Sequence, residues 1–328
     1  VSKKNKLFAV LPGAKMPAMN RAVRISVVGL SGLCLASGSG AQATWRPVGL
    51  DGGGAMFCGA CSPHDPLTMM VSSDMSGVYM TRDGGRRWEL IHHRQLRSNV
   101  DCPALFDPDR SGTIYAPDSW SGGIRISTDH GKTWRPWVEK APWSGSLRRL
   151  AKNSGRFFAG TDRDLWLSAD EGKNWTQCRG VAGEAMGLCV IKGGSNVCVA
   201  ATDKGVFVSE DAGRSFKEVR GNWPSRPVTA FAGGSDGKKT MLYVAVETAV
   251  EKGTLAGGLY ASADTGKTWQ PVMNPDLDVS TARAGEWANG DRARYLFLLA
   301  TDGAPDRVYV YCPGTSYFPP NHSTVYRS

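Results

Sequence analysis

A signature of eight residues recurs five times along this chain, and the repetition constrains the fold more than any other feature. Each copy has the pattern Ser/Thr-x-Asp-x-Gly-x-(Thr/Ser/Asn/Arg)-Trp/Phe. The copies occupy residues 81–88, 127–134, 168–175, 209–216 and 262–269. Self-similarity at a regular spacing indicates that one supersecondary unit is repeated along the chain.

The spacing of the repeated aspartates predicts the size of that unit. Asp83, Asp129, Asp170, Asp211 and Asp264 are separated by 46, 41, 41 and 53 residues. About 40 to 50 residues is typical of one four-stranded blade of a β-propeller. The copies follow short alternating segments, such as Gly77-Val78-Tyr79-Met80, that predict β-strands. We therefore expect an all-β propeller of four-stranded blades, with six to eight blades when complete.

The residue types of the signature predict a folded turn between two strands. The aspartate accepts hydrogen bonds from backbone amides, the glycine adopts a positive φ, and the aromatic side chain is buried. Calcium binding or acid catalysis by the aspartates is the alternative, but cation sites use several oxygen ligands and each carboxylate stands alone. We predict no metal and no cofactor. The residues with this structural role are Asp83, Trp88, Asp129, Trp134, Asp170, Trp175, Asp211, Phe216, Asp264 and Trp269.

Residues 1–43 are interpreted as an upstream extension followed by a secretory signal peptide. An apolar run over residues 25–36 precedes Ala41-Gln42-Ala43, which has the small-x-small pattern of a cleavage site. The sequence thus predicts cleavage after Ala43, a propeller over residues 44–328, and an extracellular or periplasmic protein. No stretch approaches the roughly 20 apolar residues of a membrane span.

Charge argues against a nucleic-acid partner. The chain has 39 basic and 30 acidic residues. Six of the basic residues and none of the acidic ones lie in residues 1–43, so the remainder has 33 basic residues against 30 acidic ones, a net charge of +3. A charge this small over residues 44–328 does not predict the basic patch that phosphate contacts require.

With these residues in view, the signatures are identified as Asp-boxes, also called bacterial neuraminidase repeats, of the sialidase-like superfamily. From Trp45 to the first box, the chain resembles the N-terminal propeller of xyloglucanase-type glycoside hydrolases. Residues 73–79 (Ser-Asp-Met-Ser-Gly-Val-Tyr) are similar to the family's Thr-Asp-(Ile/Val)-Gly-Gly-(Ala/Val)-Tyr segment. The resemblance implies that Asp74 is one of two catalytic carboxylates, although Met75 and Ser76 depart from the pattern.

Asp74 also has a structural interpretation. Asp118, Asp162 and Asp203 occupy the same place in later blades, and a recurring aspartate favours a role in the turn. In an inverting glycosidase the two acids lie about 6.5 to 9.5 Å apart. In xyloglucanase-type enzymes the partner acid comes from a second propeller. We expect a second propeller in missing C-terminal sequence, because residues 324–328 look like the opening of a sixth box.

The resemblance implies a secreted, carbohydrate-active propeller, most concretely a glycoside hydrolase acting on extracellular polysaccharide. A non-catalytic propeller that binds glycans or proteins is the first alternative, because this fold serves many functions. An exo-sialidase is the second, although the Arg-Ile-Pro segment of sialidases does not occur after the signal.

Tryptophans outside the boxes are the candidates for sugar binding. An exposed indole in a loop stacks on the face of a sugar ring, whereas a buried one packs between blades. Four tryptophans lie in polar or Gly/Pro/Ser-rich stretches, and we expect about two of them to be exposed. These candidates are Trp120, Trp143, Trp223 and Trp287.

Overall fold

The computed structural model describes residues 56–192, 196–251, 254–273, 297–301, 304–312 and 324–327. Contacts divide the chain into Val1–Arg46 and Pro47–Ser328, and every described residue lies in the second unit. The predicted leader and Trp287 lie outside the described residues. The described part is built from β-strands and turns, without a helix, and so holds no membrane-spanning helix.

The strands of the described residues form six antiparallel sheets. The first sheet contains Met56–Cys61 (β1), Met69–Ser73 (β2), Gly77–Thr81 (β3) and Glu89–Leu90 (β4). The second contains Leu105–Phe106 (β5), Ile114–Pro117 (β6), Ile124–Ser127 (β7) and Arg135–Val138 (β8). The third contains Leu147–Asn153 (β9), Arg156–Thr161 (β10), Leu165–Ser168 (β11) and Thr176–Gln177 (β12). The fourth sheet contains Ala185–Val190 (β13), Cys198–Thr202 (β14), Gly205–Ser209 (β15) and Lys217–Val219 (β16). The fifth contains Val228–Ser235 (β17), Thr240–Glu251 (β18), Thr254–Ser262 (β19) and Gln270–Met273 (β20). The sixth contains Phe297–Thr301 (β21), Ala304–Cys312 (β22) and Thr324–Arg327 (β23).

Each sheet is a meander in which consecutive strands pair, which is the arrangement of a propeller blade. The first strands of neighbouring sheets contact one another, as β9 contacts β13 and β13 contacts β17. Burial is greatest in the middle of a blade and least at its outer edge: in the fourth blade β14 is buried along its whole length, the innermost strand β13 alternates between buried and half-buried residues, and the outer strand β16 is mostly exposed. The predicted β-propeller with four-stranded blades is therefore confirmed.

Apolar side chains fill the spaces between consecutive blades. Between the third and fourth blades, for example, Phe158 and Leu165 pack against Ala200 and Phe207. The strands in the middle of a blade are buried on both faces, so their apolar residues are nearly continuous. Full burial of each large side chain contributes about 1.5–3 kcal/mol, so this packing holds neighbouring blades together.

A buried ion pair also joins the second and third blades. The Lys152 ammonium lies 2.7 Å from the Asp107 carboxylate, and both side chains are almost completely buried. Arg110 and the Tyr115 hydroxyl donate further hydrogen bonds to Asp107. Burial alone would raise the pKa of Asp107, but the Lys152 contact and the other hydrogen bonds outweigh burial and lower it. The carboxylate is therefore fully partnered and structural.

The five Asp-box turns have one hydrogen-bonding pattern, which the fourth box illustrates. The Ser209 hydroxyl donates to Asp211 Oδ1 (2.8 Å) and accepts from the Gly213 amide (2.8 Å). The same Asp211 oxygen accepts from the Ser215 amide (2.8 Å). In three boxes the tryptophan indole donates to the glycine carbonyl, as Trp269 does at 3.0 Å. The turn predicted from sequence is confirmed, and its Ser/Thr hydroxyl joins the aspartate to the glycine.

The box glycine is required by conformation and by packing. Gly213 has a φ of 91°, and a Cβ atom placed on it would lie 2.3 Å from the Phe158 ring of the preceding blade. Gly266 has the same conformation, with a φ of 90°, but a Cβ atom there would meet nothing closer than 3.5 Å. The two glycines thus separate the conformational requirement from the steric one.

We predict that Gly213→Ala destabilises the protein more than Gly266→Ala. A positive φ costs an alanine roughly 1–2 kcal/mol at either position. Overpacking against Phe158 adds about 1–3 kcal/mol at Gly213 only. Urea unfolding of both variants measures the difference, and equal losses would show that the contact between box and neighbouring blade is not tight.

Candidate functional site

The two ends of each blade carry different loops. Antiparallel pairing places the Asp-box turns, which join the third strand to the fourth, at one end of the blade. The turns between the second and third strands lie at the opposite end, together with the connections to the next blade. Asp74 follows β2 directly, so it lies on the face opposite the Asp-boxes.

A groove of about 610 Å³ opens beside Asp74, between the first two blades. Its walls include Asp74 and Met75 from the first blade, Arg97 from the connection, and Trp120 from the second blade. Met75 and Trp120 are among the most exposed large apolar side chains of the described residues, at 79% and 60% exposure. The groove therefore combines an open aromatic surface with a carboxylate and a guanidinium.

The connection between the first and second blades builds one side of this groove. Residues 91–104 form a link of 14 residues, whereas the next three links, 139–146, 178–184 and 220–227, have 8, 7 and 8. Leu96 is buried between the two blades and anchors the long link. The Ser119 amide donates to the Arg97 carbonyl (2.8 Å), and the Asn99 amide donates to the Ser119 hydroxyl (2.9 Å). The groove wall is thus held in place by backbone contacts.

In the third and fourth blades, the aspartate at the position of Asp74 has a structural role. Asp162 Oδ1 accepts a hydrogen bond from the Ser146 amide (3.2 Å), and Asp203 Oδ1 accepts one from the Glu184 amide (2.8 Å). Each amide belongs to the residue just before the first strand of the blade. These carboxylates tie the loop to the blade entrance, as a turn role predicts.

The contacts of Asp74 differ from those of Asp118, and the residue just before the first strand of its own blade, Ala55, lies outside the described residues. In the second blade, Asp118 is buried, pairs with Arg125 (3.0 Å) and accepts from the Ser121 hydroxyl (3.1 Å). Asp74 is exposed, and no residue in the described part of the chain donates a hydrogen bond to its carboxylate. An exposed carboxylate of this kind is available to a ligand. The role of Asp74 in catalysis stays a prediction.

The predicted sugar-binding tryptophans fall into two groups. Trp120 is exposed in the groove. Trp143 is only 6% exposed, donates to the Gly122 carbonyl (3.2 Å) and packs edge-on against Trp175. Trp223 is half-buried against Tyr260 and Trp269. The prediction that Trp143 stacks on a sugar ring was therefore wrong, because its own ring fills the space beside a box tryptophan. Trp223 packs between blades in the same way.

The box aspartates are fully engaged within their turns. The Ser215 hydroxyl and then its amide lower the pKa of Asp211 to about 2. At Asp170 the amide and side chain of Asn174 have the same effect, again to about 2. Burial would raise the pKa of Asp129 and Asp264, but hydrogen bonds outweigh it and bring both to about 2. Such carboxylates are permanently ionised acceptors and poorly suited to acid catalysis.

Residues considered for other chemistry are not assembled into a site. A sialidase would need a cluster of arginines for the substrate carboxylate; the adjacent Arg148 and Arg149 lie in β9 rather than in a loop, and Arg148 pairs with Glu184 (2.7 Å). Burial, followed by the hydrogen bond to Asp101, raises the pKa of the Cys58 thiol far above its usual range. Within the described residues, no cluster of three or more His, Cys, Asp or Glu side chains has the arrangement of a metal site.

Comparison with known proteins identifies the repeat and the fold. The family model described as BNR/Asp-box repeat matches residues 125–136, which contain the whole of the second box. The chain carries Asp-box repeats on a β-propeller fold. No curated protein matches the sequence.

Solved structures with this fold have different functions. An ancestral GH74 enzyme is 17% identical with a TM-score of 0.59, over 88% of this chain and 40% of that one. The GH74 xyloglucanase from Xanthomonas campestris is 18% identical with a TM-score of 0.58, over 87% and 45%. YCF48 bound to a D1 peptide is 18% identical with a TM-score of 0.50, over 78% and 79%. The Asp-box propeller spans less than half of either GH74 chain, and at these identities the likeness shows the fold.

The lowered pKa values of the box aspartates predict loss of stability in acid. Groups with a folded pKa near 2, against 3.8 when unfolded, stabilise the folded state above pH 4, and this contribution is lost as the pH falls toward 2. Unfolding free energies measured between pH 5 and pH 2 should fall steeply. Asp211→Asn should make the protein less stable at neutral pH and the fall shallower; an unchanged pH dependence would contradict this role of the carboxylate.

Proposed function

We propose that this chain is a polysaccharide-binding propeller and that the groove between its first two blades is the binding site. The observation that carries the proposal is the exposed Trp120 ring in a groove that also contains the exposed Asp74 carboxylate. The apolar face of a sugar ring packs on an indole, and a carboxylate accepts hydrogen bonds from sugar hydroxyls. Both contacts are available at one place on the surface.

The fold likeness supports a carbohydrate ligand without identifying it. Two of the similar structures are GH74 enzymes, one of them a xyloglucanase. Asp74 lies in the segment that resembles the catalytic motif of xyloglucanase-type enzymes. The proposed ligand, a polysaccharide, is inferred from the shared fold and from this similar segment.

Binding is better supported than hydrolysis. Inverting hydrolysis needs two carboxyl groups on opposite sides of the scissile bond, about 6.5–9.5 Å apart. Asp74 is the one carboxylate that lines the groove among the described residues. Hydrolysis would therefore need a second acid from elsewhere, whereas binding needs only the groups already present.

We also propose that the protein acts outside the cytoplasm, on the basis of the signal-like pattern in residues 1–43.

The binding proposal is tested by substitutions of Trp120 and Asp74. We expect Trp120→Ala to weaken binding of the target polysaccharide about tenfold or more, corresponding to roughly 1.4 kcal/mol or more. Asp74→Ala should weaken binding without lowering the unfolding free energy. Affinity electrophoresis on a panel of plant and bacterial polysaccharides identifies the target, and calorimetry with its oligosaccharides measures affinity.

Asp203→Ala is the matched control, because Asp203 occupies the same loop position in the fourth blade but is tied to the Glu184 amide. It should cost about 1–3 kcal/mol of stability and leave affinity unchanged. Failure of the wild-type chain to bind any polysaccharide would refute the proposal. Release of reducing sugar by the wild type but not by Asp74→Ala would instead establish the hydrolase.

A further inference from the structure

We infer that the groove recognises an acidic polysaccharide and that Arg97 binds the carboxylate of a uronic acid unit. This inference rests on the proposed function and specifies its ligand class. It follows from the position of Arg97, from the charge around the groove and from a second cavity that continues it.

Arg97 is held in the groove with its charge uncompensated. The centre of its guanidinium lies 4.3 Å from the centroid of the Trp120 ring, a cation–π contact that fixes the side chain. The Ser119 amide fixes the Arg97 backbone through its carbonyl. The side chain is exposed, and no acidic group in the described part of the chain pairs with it. Its fork of N–H donors is therefore available for a planar, bidentate anion such as a carboxylate.

The link that forms the groove wall carries a small excess of positive charge. Residues 91–104 contain Arg94, Arg97 and Asp101, a net charge of +1. Asp101 faces Arg148 of the third blade (4.0 Å). Among the described residues that line the groove, Arg97 is the one lysine or arginine. Its guanidinium therefore attracts an anionic group of the ligand.

A second cavity of about 520 Å³ continues the groove along the outer edge of the first blade. The two cavities share Leu90, Ile91 and His92, so they form one path across the surface. The far cavity is lined by Lys132, which has no acidic partner among the described residues. A path with a free cation in each of its two cavities fits a polymer with repeated negative charges better than a single sugar.

The groove contains groups for a sugar ring as well as for its charge. A uronic acid has a carboxylate on a ring whose C–H face packs on an indole, so Trp120 and Arg97 together contact both parts. Asp74 would repel the carboxylate and accept hydrogen bonds from hydroxyl groups, which orients the ring with its charge toward Arg97. An acidic peptide would use Arg97 but would not require the Trp120 surface.

Binding of polygalacturonate, neutral xyloglucan and polyglutamate to the full chain tests the inference. We expect polygalacturonate to bind at least tenfold more tightly than xyloglucan, and its affinity to fall as NaCl rises from 50 to 500 mM. Arg97→Gln should weaken polygalacturonate binding about tenfold or more, while Arg97→Lys, which keeps the charge but loses the bidentate geometry, should restore only part of it.

Arg163→Gln is the control, because Arg163 is exposed on the same face but lies in the third blade, outside the groove. It should leave binding unchanged. Tighter binding of xyloglucan that is indifferent to Arg97→Gln would overturn the inference and leave the proposed function standing. Binding of polyglutamate as tight as that of polygalacturonate would indicate a protein ligand and overturn the inference; failure to bind any polysaccharide would overturn the proposed function as well.

Discussion

A buried hydroxyl group in each Asp-box organises the blade around it. The residue that carries it, such as Ser127 or Ser262, is almost completely buried at the end of the third strand. Its oxygen accepts from the glycine amide while its proton is donated to the aspartate, so one small side chain satisfies two polar groups that burial would otherwise penalise. The glycine can then approach the neighbouring blade closely, and the local turn becomes part of the packing between blades.

The proposed binding site arises where the chain departs from this repeat. A regular blade uses its connecting loops to close its own end, as the contact of Asp162 with Ser146 shows. In the first blade, the long connection with Leu96 as its anchor lines a groove instead, and Asp74 is exposed in its wall. Stability is supplied by the repeated parts of the blades. The irregular connection is therefore free to carry ligand-binding groups such as Arg97.

Sequence alone predicted the repeat, its turn chemistry and the strands on either side, because these depend on local residue types. The exposure of tryptophans was harder to predict, because it depends on the neighbouring blade: Trp143 has loop-like surroundings in sequence but lies beside Trp175 in space. Arg97 was missed, although a signal was present. The first interval between box aspartates, 46 residues, is five longer than the next two, and the long connection lies within it. The 53-residue interval contains the long strands β18 and β19.

The central claim is that ligand binds in the groove between the first two blades, on the face opposite the Asp-boxes. Hydrogen–deuterium exchange with and without saturating oligosaccharide tests this claim directly, because it reports on every backbone amide at once. The account predicts slower exchange in residues 73–77, 91–99 and 118–122, with no change in the box turns of the third and fourth blades at 170–174 and 211–215. Protection at these two box turns, or elsewhere in blades away from the groove, would contradict it.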